Sequence, residues 1–314
     1  MRSSIVPIHR DRRPIRLARV LFAVCAIGFF AGVAPRSAVA QSLERFPDAS
    51  RLVSIGGAIT EIVYALGEED RLIARDTTST YPEAAGALPD VGYMRALSPE
   101  GVLSVGPSAV LAAEGSGPPA TMSVLEKATV PLILVPEGYD REAILRKIRI
   151  TGAALGVAAK AEKLAGKVDA DLQAAEDAAK AMSGGKRVLF ILSMQGGRIL
   201  AAGSGTAADG VVRMAGGTNA MSAFPGYRQV SEEAVMMAQP DVILMMERGG
   251  GTGIAEDELF AHPAIAGTPA GTPAGKSRTL LRMDGAYLLG FGPRTASAVR
   301  DLSAMLAETK TATD

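Results

Sequence analysis

The chain has 314 residues, with 33 basic and 33 acidic side chains, one cysteine and no tryptophan. Zero formal charge argues against a nucleic-acid surface, and an aromatic content of 4% argues against the ring-stacking cleft of a sugar receptor. The single cysteine, Cys25, excludes an internal disulfide.

Residues 1–40 read as a leader. Arg12, Arg13, Arg16 and Arg19 form a charged region, residues 20–33 an apolar one, and Ala38-Val39-Ala40 a small-residue cleavage site. The apolar run is short for a membrane span. Arg12-Arg13 hints at a twin-arginine route, but Pro14-Ile15 fits it poorly, which favours the general secretory route. Phe22-Ala23-Val24 ahead of Cys25 lacks the small residue of a lipoprotein signal. The expected mature chain starts at Gln41, is mildly acidic, and at about 270 residues can bury one or two sizeable cores.

In chain order, residues 51–55 (RLVSI) predict a strand ending at Gly56-Gly57, and residues 60–66 a helix closed by Gly67. Residues 71–75 predict a strand, followed by a loop over 76–80 that leads to Tyr81-Pro82. Residues 131–135 (PLILV) are a buried strand and 141–155 a helix. A longer helix spans 160–182, with Leu164, Val168, Leu172, Ala175 and Ala179 on one face, and ends at Ser183-Gly184-Gly185. Residues 187–192 (RVLFIL) open a second strand-helix series. The duplicated GTPA tract at 267–275 reads as a surface loop, and residues 295–306 as the last helix. This alternation predicts parallel α/β architecture.

Two stretches repeat at a constant offset of 133 residues: 97–111 (LSPEGVLSVGPSAVL) and 230–244 (VSEEAVMMAQPDVIL). Ser98, Glu100, Val102 and Pro107 match Ser231, Glu233, Val235 and Pro240. Each is a short helix, a Pro-marked turn and a buried β-branched run. Duplication of a whole helix-strand unit predicts two similar lobes, with a ligand cleft between them. The expected organisation is a leader (1–40), an N-terminal lobe (41–158), a connecting helix (159–183) and a C-terminal lobe (184–314). One stiff connector restricts lobe motion more than several flexible crossovers would.

These residues resemble a family. RLVSIGGAITEIVYALG (51–67), DTTSTYP (76–82), GYMRALSPEGVLS (92–104), VLFILSMQGG (188–197), ADGVVRMAGGTNA (208–220), the second repeat and LLGFGPR (288–294) are similar to periplasmic substrate-binding proteins of ABC importers. The class is the helical-backbone one serving vitamin B12, siderophores and haem, and the likeness is to its haem receptors. The resemblance implies two Rossmann-like α/β lobes joined by a long helix, a periplasmic monomer that binds haem, and delivery to a permease and ATPase complex in the inner membrane.

The resemblance also assigns roles. Tyr81, in the T-S-x-Y-P loop, is the implied axial ligand of haem iron; a phenolate is a hard anionic donor suited to Fe(III). Its ordinary pKa is near 10, so a metal or cation must favour ionisation. Pro82 is expected to hold Tyr81 extended and to start a short helix with Glu83 in its first turn. Arg228 is expected to reach the tyrosine oxygen across the cleft, and Arg95, its match in the first repeat, to meet a propionate or a partner protein. Tyr227 and Met194 are expected to line the haem face. Glu100 and Glu233 are the implied docking pair for permease arginines; as single residues they would read as helix-dipole caps. His262, the remaining histidine of the mature chain, reads as a surface loop residue and leaves a histidine ligand unaccounted for.

Rival readings remain. A siderophore or cobalamin receptor shares the fold and both glutamates; Tyr81 and Arg228 are what separate haem from these. Gly203-Ser-Gly205-Thr-Ala-Ala208 matches G-x-G-x-x-A, the mark of a secreted enzyme with a dinucleotide-type fold, but no acidic residue ends a clear second strand of that unit. No G-x-S-x-G elbow accompanies His262, and a zinc or manganese receptor would want more histidines.

Overall fold

The computed structural model describes residues 44–182, 184–247, 254–271 and 279–309. The leader, Ser183 and part of the GTPA tract lie outside the described residues.

The first half begins with β1 (Leu52–Ile55), α1 (Gly57–Ala65), β2 (Leu72–Arg75), α2 (Pro99–Leu103) and β3 (Ala109–Ala113). It continues through α3 (Pro119–Lys127), β4 (Leu132–Val135) and α4 (Arg141–Ala154). Its strands form one parallel sheet in the order β2-β1-β3-β4. α1 starts earlier than its periodicity indicated, and Gly67, at φ +67°, closes it as expected. Arg71 belongs to a short 3₁₀ turn rather than to β2.

α5 (Ala158–Met182) follows, and then β5 (Arg187–Gln195), β6 (Arg198–Ala202), α6 (Ala207–Met214), β7 (Thr218–Asn219) and β8 (Tyr227–Val230). The chain continues through α7 (Glu232–Ala238), β9 (Val242–Glu247), α8 (Glu256–Ala261), α9 (Pro263–Ala266), β10 (Leu280–Asp284), α10 (Gly285–Leu289) and α11 (Thr295–Glu308). The second sheet runs β10-β9-β5-β6-β8, with β7 also on β5. Here β6 and β8 are antiparallel. Gly196 and Gly197 sit at φ +57° and +73°, the two left-handed positions of a tight hairpin turn, and fold β6 back on β5. The G-x-G-x-x-A stretch therefore follows a hairpin strand and not the first strand of a βαβ unit, which removes the structural basis of a dinucleotide fold there.

The repeat units occupy matching places. β3 lies between β1 and β4, and β9 lies between β5 and β10, all parallel. Val110 pairs with Val53 and Leu132; its repeat partner Ile243 pairs with Leu189 and Leu280. The caps match too. Ser98 accepts from the Gly101 N–H at 3.0 Å and Ser231 from the Ala234 N–H at 3.2 Å.

The inner strands β1, β3 and β9 and the first part of β5 are buried on both faces and are nearly continuous apolar runs. In the second sheet Val188, Phe190, Val242 and Leu244 face one cluster and Leu189, Ile191, Ile243 and Met245 the other. The first of these clusters also takes in Ile62, Ile144 and Ile148 from the first half, and Val211 and Leu302 from the second. Its spine is Ala161, Ala165, Val168, Leu172 and Ala175 of α5, a buried stripe that Ala179 continues. The stripe lets α5 pack on α4 and on α11 at once. Gly210 on α6 lies against Tyr139 of the first half, where a β-carbon would come within 2.4 Å of the Tyr139 carbonyl oxygen. The halves thus share a core.

Two outcomes are expected from that shared core. Leu172→Ala, at a fully buried site, should destabilise the chain by about 2–5 kcal/mol. Chemical denaturation should still show one transition with both halves unfolding together. Small-angle scattering should show only a small change in radius of gyration when ligand is added, because hinge opening would have to break this cluster.

Candidate functional site

Tyr81 follows a loop whose shape is dictated by a buried carboxylate. Asp76 is fully buried at the end of β2. One of its oxygens accepts from the Gly56 N–H at 2.8 Å and the Ser79 hydroxyl at 2.7 Å. The other accepts from the Thr78 N–H at 2.9 Å and the Thr78 hydroxyl at 2.6 Å. The hydroxyls of Ser54, Thr60 and Ser79 form a chain with 2.6 Å links, tying β1 and α1 to the same loop. Four donors around one anion offset its desolvation. Nothing in the sequence pattern singled out Asp76.

The loop presents Tyr81 at 44% exposure, large for an aromatic side chain. Among the described residues its hydroxyl has no hydrogen-bond partner. The Tyr81–Pro82 peptide is cis, and Pro82 precedes a 3₁₀ turn over Glu83–Ala87. The guanidinium over the Tyr81 ring is that of Arg294, 3.5 Å from the ring centroid. Arg294 also lies 5.3 Å from the Tyr287 ring. Its backbone N–H donates to one Glu61 carboxylate oxygen at 2.8 Å and its Nε to the other at 2.9 Å. Glu61 sits on α1; burial pushes its carboxyl up while the Arg294 charge pulls it down. Tyr287 is a different kind of phenol. Burial and the Asp301 carboxylate, to which its hydroxyl donates at 2.8 Å, push it up to about 12, so it stays protonated.

Arg228 does not reach Tyr81. It lies 5.9 Å from the Phe224 ring and lines a groove of about 560 Å³ with Ala220, Phe224, Val230, Ala234 and Met237. Strand alternation explains this: successive side chains on β8 point to opposite faces, and its neighbour Tyr227 goes the other way. Burial pushes the Tyr227 phenol up, and Tyr139 adds to the rise, whereas Ala208, Thr206 and Arg95 draw it down. Burial raises Tyr139 as well, Glu137 adding and Arg95 opposing. Arg95 and Tyr139 of the first half thus bear electrostatically on Tyr227 of the second. Tyr139 packs edge-on against Phe291 with ring centroids 5.2 Å apart.

Two expectations are corrected. Met194 does not line an open face; it is buried among Leu189, Ile191 and Met221, because a register shift between Ile191 and Ser193 turns it onto their side of β5. His262 is not a surface loop residue. It is buried at the start of α9, where Nδ1 accepts from the Ala264 N–H at 3.2 Å and Nε2 donates to the Gly197 carbonyl at 2.7 Å. Both ring nitrogens are occupied, one capping α9 and the other holding the hairpin turn. Among the described residues no group of three or more His, Cys, Asp or Glu side chains can hold a metal ion. No described helix is long and apolar enough to cross a membrane.

Glu100 and Glu233 occupy the same place in the two halves. Each is exposed, two residues after its capping serine, in the first turn of α2 or α7. The Glu233 carboxyl is held below the usual range by its own backbone N–H and the Ser231 hydroxyl.

The model of the periplasmic binding protein family matches residues 52–274. The fold superposes on the periplasmic haem-binding protein BhuT, solved with two haems, at a TM-score of 0.77 and 40% identity. That match covers 82% of this chain and 98% of the other. The chain is 30% identical to the vitamin B12-binding protein of Vibrio parahaemolyticus serotype O3:K6, over 68% of this chain and 74% of that protein. It is 28% identical to the uncharacterized ABC transporter substrate-binding lipoprotein YvrC of Bacillus subtilis, over 62% of each chain.

The Asp76 network generates a test. Asp76→Asn keeps the volume but turns an acceptor into a donor facing the Thr78 N–H. The loss of one charge-assisted bond should cost about 1.5–3 kcal/mol. Urea denaturation measures the loss, and amide exchange should quicken first across 76–80.

Proposed function

The chain belongs to the periplasmic binding protein family, and from that premise we propose that it captures haem and delivers it to an ABC importer. The observation that carries this reading is Tyr81: an exposed phenol on a braced loop, with a fixed guanidinium from the other half over its ring. The 40% identity to a haem-binding relative supports it. Tyr81 is the proposed axial ligand. A phenolate oxygen is a hard donor suited to ferric iron. Arg95 and Tyr227, with Tyr139, are proposed to meet the edge of the ligand.

The proposed domain division is lobes at 41–158 and 184–314 around a connector at 159–183. The leader over 1–40 would direct the chain to the periplasm, where it would act as a monomer. The match to a vitamin B12-binding protein supports a second reading, a cobalamin receptor. That reading gives no role to an exposed tyrosine beside an arginine.

Haemin added to the purified mature chain should give a high-spin ferric spectrum with a phenolate charge-transfer band. Tyr81→Phe should remove that band and weaken binding at least tenfold, since one charged donor is worth about 1.5–3 kcal/mol. An unchanged spectrum, or tight binding of cyanocobalamin in its place, would refute the haem assignment.

Glu100 and Glu233 are the proposed contacts to the permease, one on each lobe. Replacing both by Arg should abolish haem-dependent growth while haemin titration stays unchanged. Normal growth of the double variant would remove the docking role.

A further inference from the structure

We infer that Arg294 is the positioning residue for Tyr81, and that through it the ligand of one lobe is held by the other. The inference rests on the reading that Tyr81 carries the iron. Arg294 caps α11 in the second half, whereas Tyr81 and Glu61 belong to the first. The Glu61 carboxylate takes both the Arg294 backbone N–H and its Nε, so backbone and side chain are pinned together. Gly292 sits against Ala58 of α1, where a β-carbon would lie at 3.5 Å, so the chain approaches the first half closely at this point. With Nε committed, the guanidinium plane is set, and it rests on the Tyr81 ring at 3.5 Å.

A cation over the ring face does two things. It restrains the tilt of the ring, and hence the direction in which the oxygen points. It also complements the electron-rich ring of an iron-bound phenolate better than that of a neutral phenol. Separating the lobes would carry Arg294 away from Tyr81 and withdraw both effects. Ligation is thereby coupled to the contact between lobes, so forcing them apart weakens the iron–oxygen bond.

The test is a double-mutant cycle on the mature chain loaded with haemin, read by the charge-transfer band and by the rate of haemin loss to an excess of apomyoglobin. Arg294→Gln should speed haemin loss roughly tenfold and move the band. Arg294→Lys should restore part of both, and Glu61→Gln should act in the same direction but less. In a Tyr81→Phe background all three should have no effect. If Arg294→Gln fails to fold, Arg294→Lys and Glu61→Gln carry the comparison. The inference is overturned if these substitutions act equally with Tyr81→Phe present, for then Arg294 serves the ligand's edge or the fold alone. It is also overturned if Tyr81→Phe abolishes the band while the Arg294 and Glu61 variants leave rate and band unchanged. Loss of the band in none of the variants, Tyr81→Phe included, would refute the iron-ligand reading itself.

Discussion

The whole arrangement depends on one buried stripe. α5 buries Ala161, Ala165, Val168, Leu172, Ala175 and Ala179 along one face, and all but Ala179 join a cluster containing side chains from both halves. Four of the six are alanines, which let neighbouring helices approach closely on either side. A two-lobed protein whose lobes met only through a linker would have two separate cores and a soft hinge. Here the hydrophobic effect that folds each half also fixes it against the other. The Tyr81 loop is positioned by one half and Arg294 by its partner, so their contact is only as steady as this cluster.

On that spine the functional loop is built from polar groups, and its rigidity has a different origin. A buried carboxylate with four donors specifies a single geometry, because any slip leaves a charge without partners in a low-dielectric interior. The Ser54–Thr60–Ser79 hydroxyl chain extends the constraint to β1 and α1. α1 also carries Glu61, the anchor of Arg294. One helix thus registers both sides of the candidate site: its N-terminal end against the loop that carries Tyr81, its middle against the arginine.

The halves are alike where a partner would meet them and unlike where the ligand would. α2–β3 and α7–β9 share caps, turn and register, and set Glu100 and Glu233 at equal positions. The divergence is the glycine hairpin between β5 and β6. It adds antiparallel strands to the second sheet and makes β8 an edge strand, on which alternation sends Tyr227 and Arg228 in opposite directions.

Much of this was legible in one dimension. Strand-helix alternation, the duplicated unit and its register, the long connector and its apolar face all follow from local patterning, because periodicity and turn residues act on near neighbours. Tyr81 was singled out by its motif, and its exposure on the loop is what the structure adds. The misplaced residues share a cause. Met194 and Arg228 depend on which face of a strand points inward, and that is decided by a register shift on β5 and by the pairing of β8 on β6. His262 depends on a carbonyl at Gly197, distant in sequence. Asp76 looked like an ordinary loop aspartate until its four donors converged. Arg294 lay within a recognised stretch, LLGFGPR, yet its neighbours Glu61 and Tyr81 come from the opposite end of the chain. Pattern determined the elements, since their formation is local. Only the tertiary structure decided which cation meets the tyrosine, since that contact exists only once the shared core has closed.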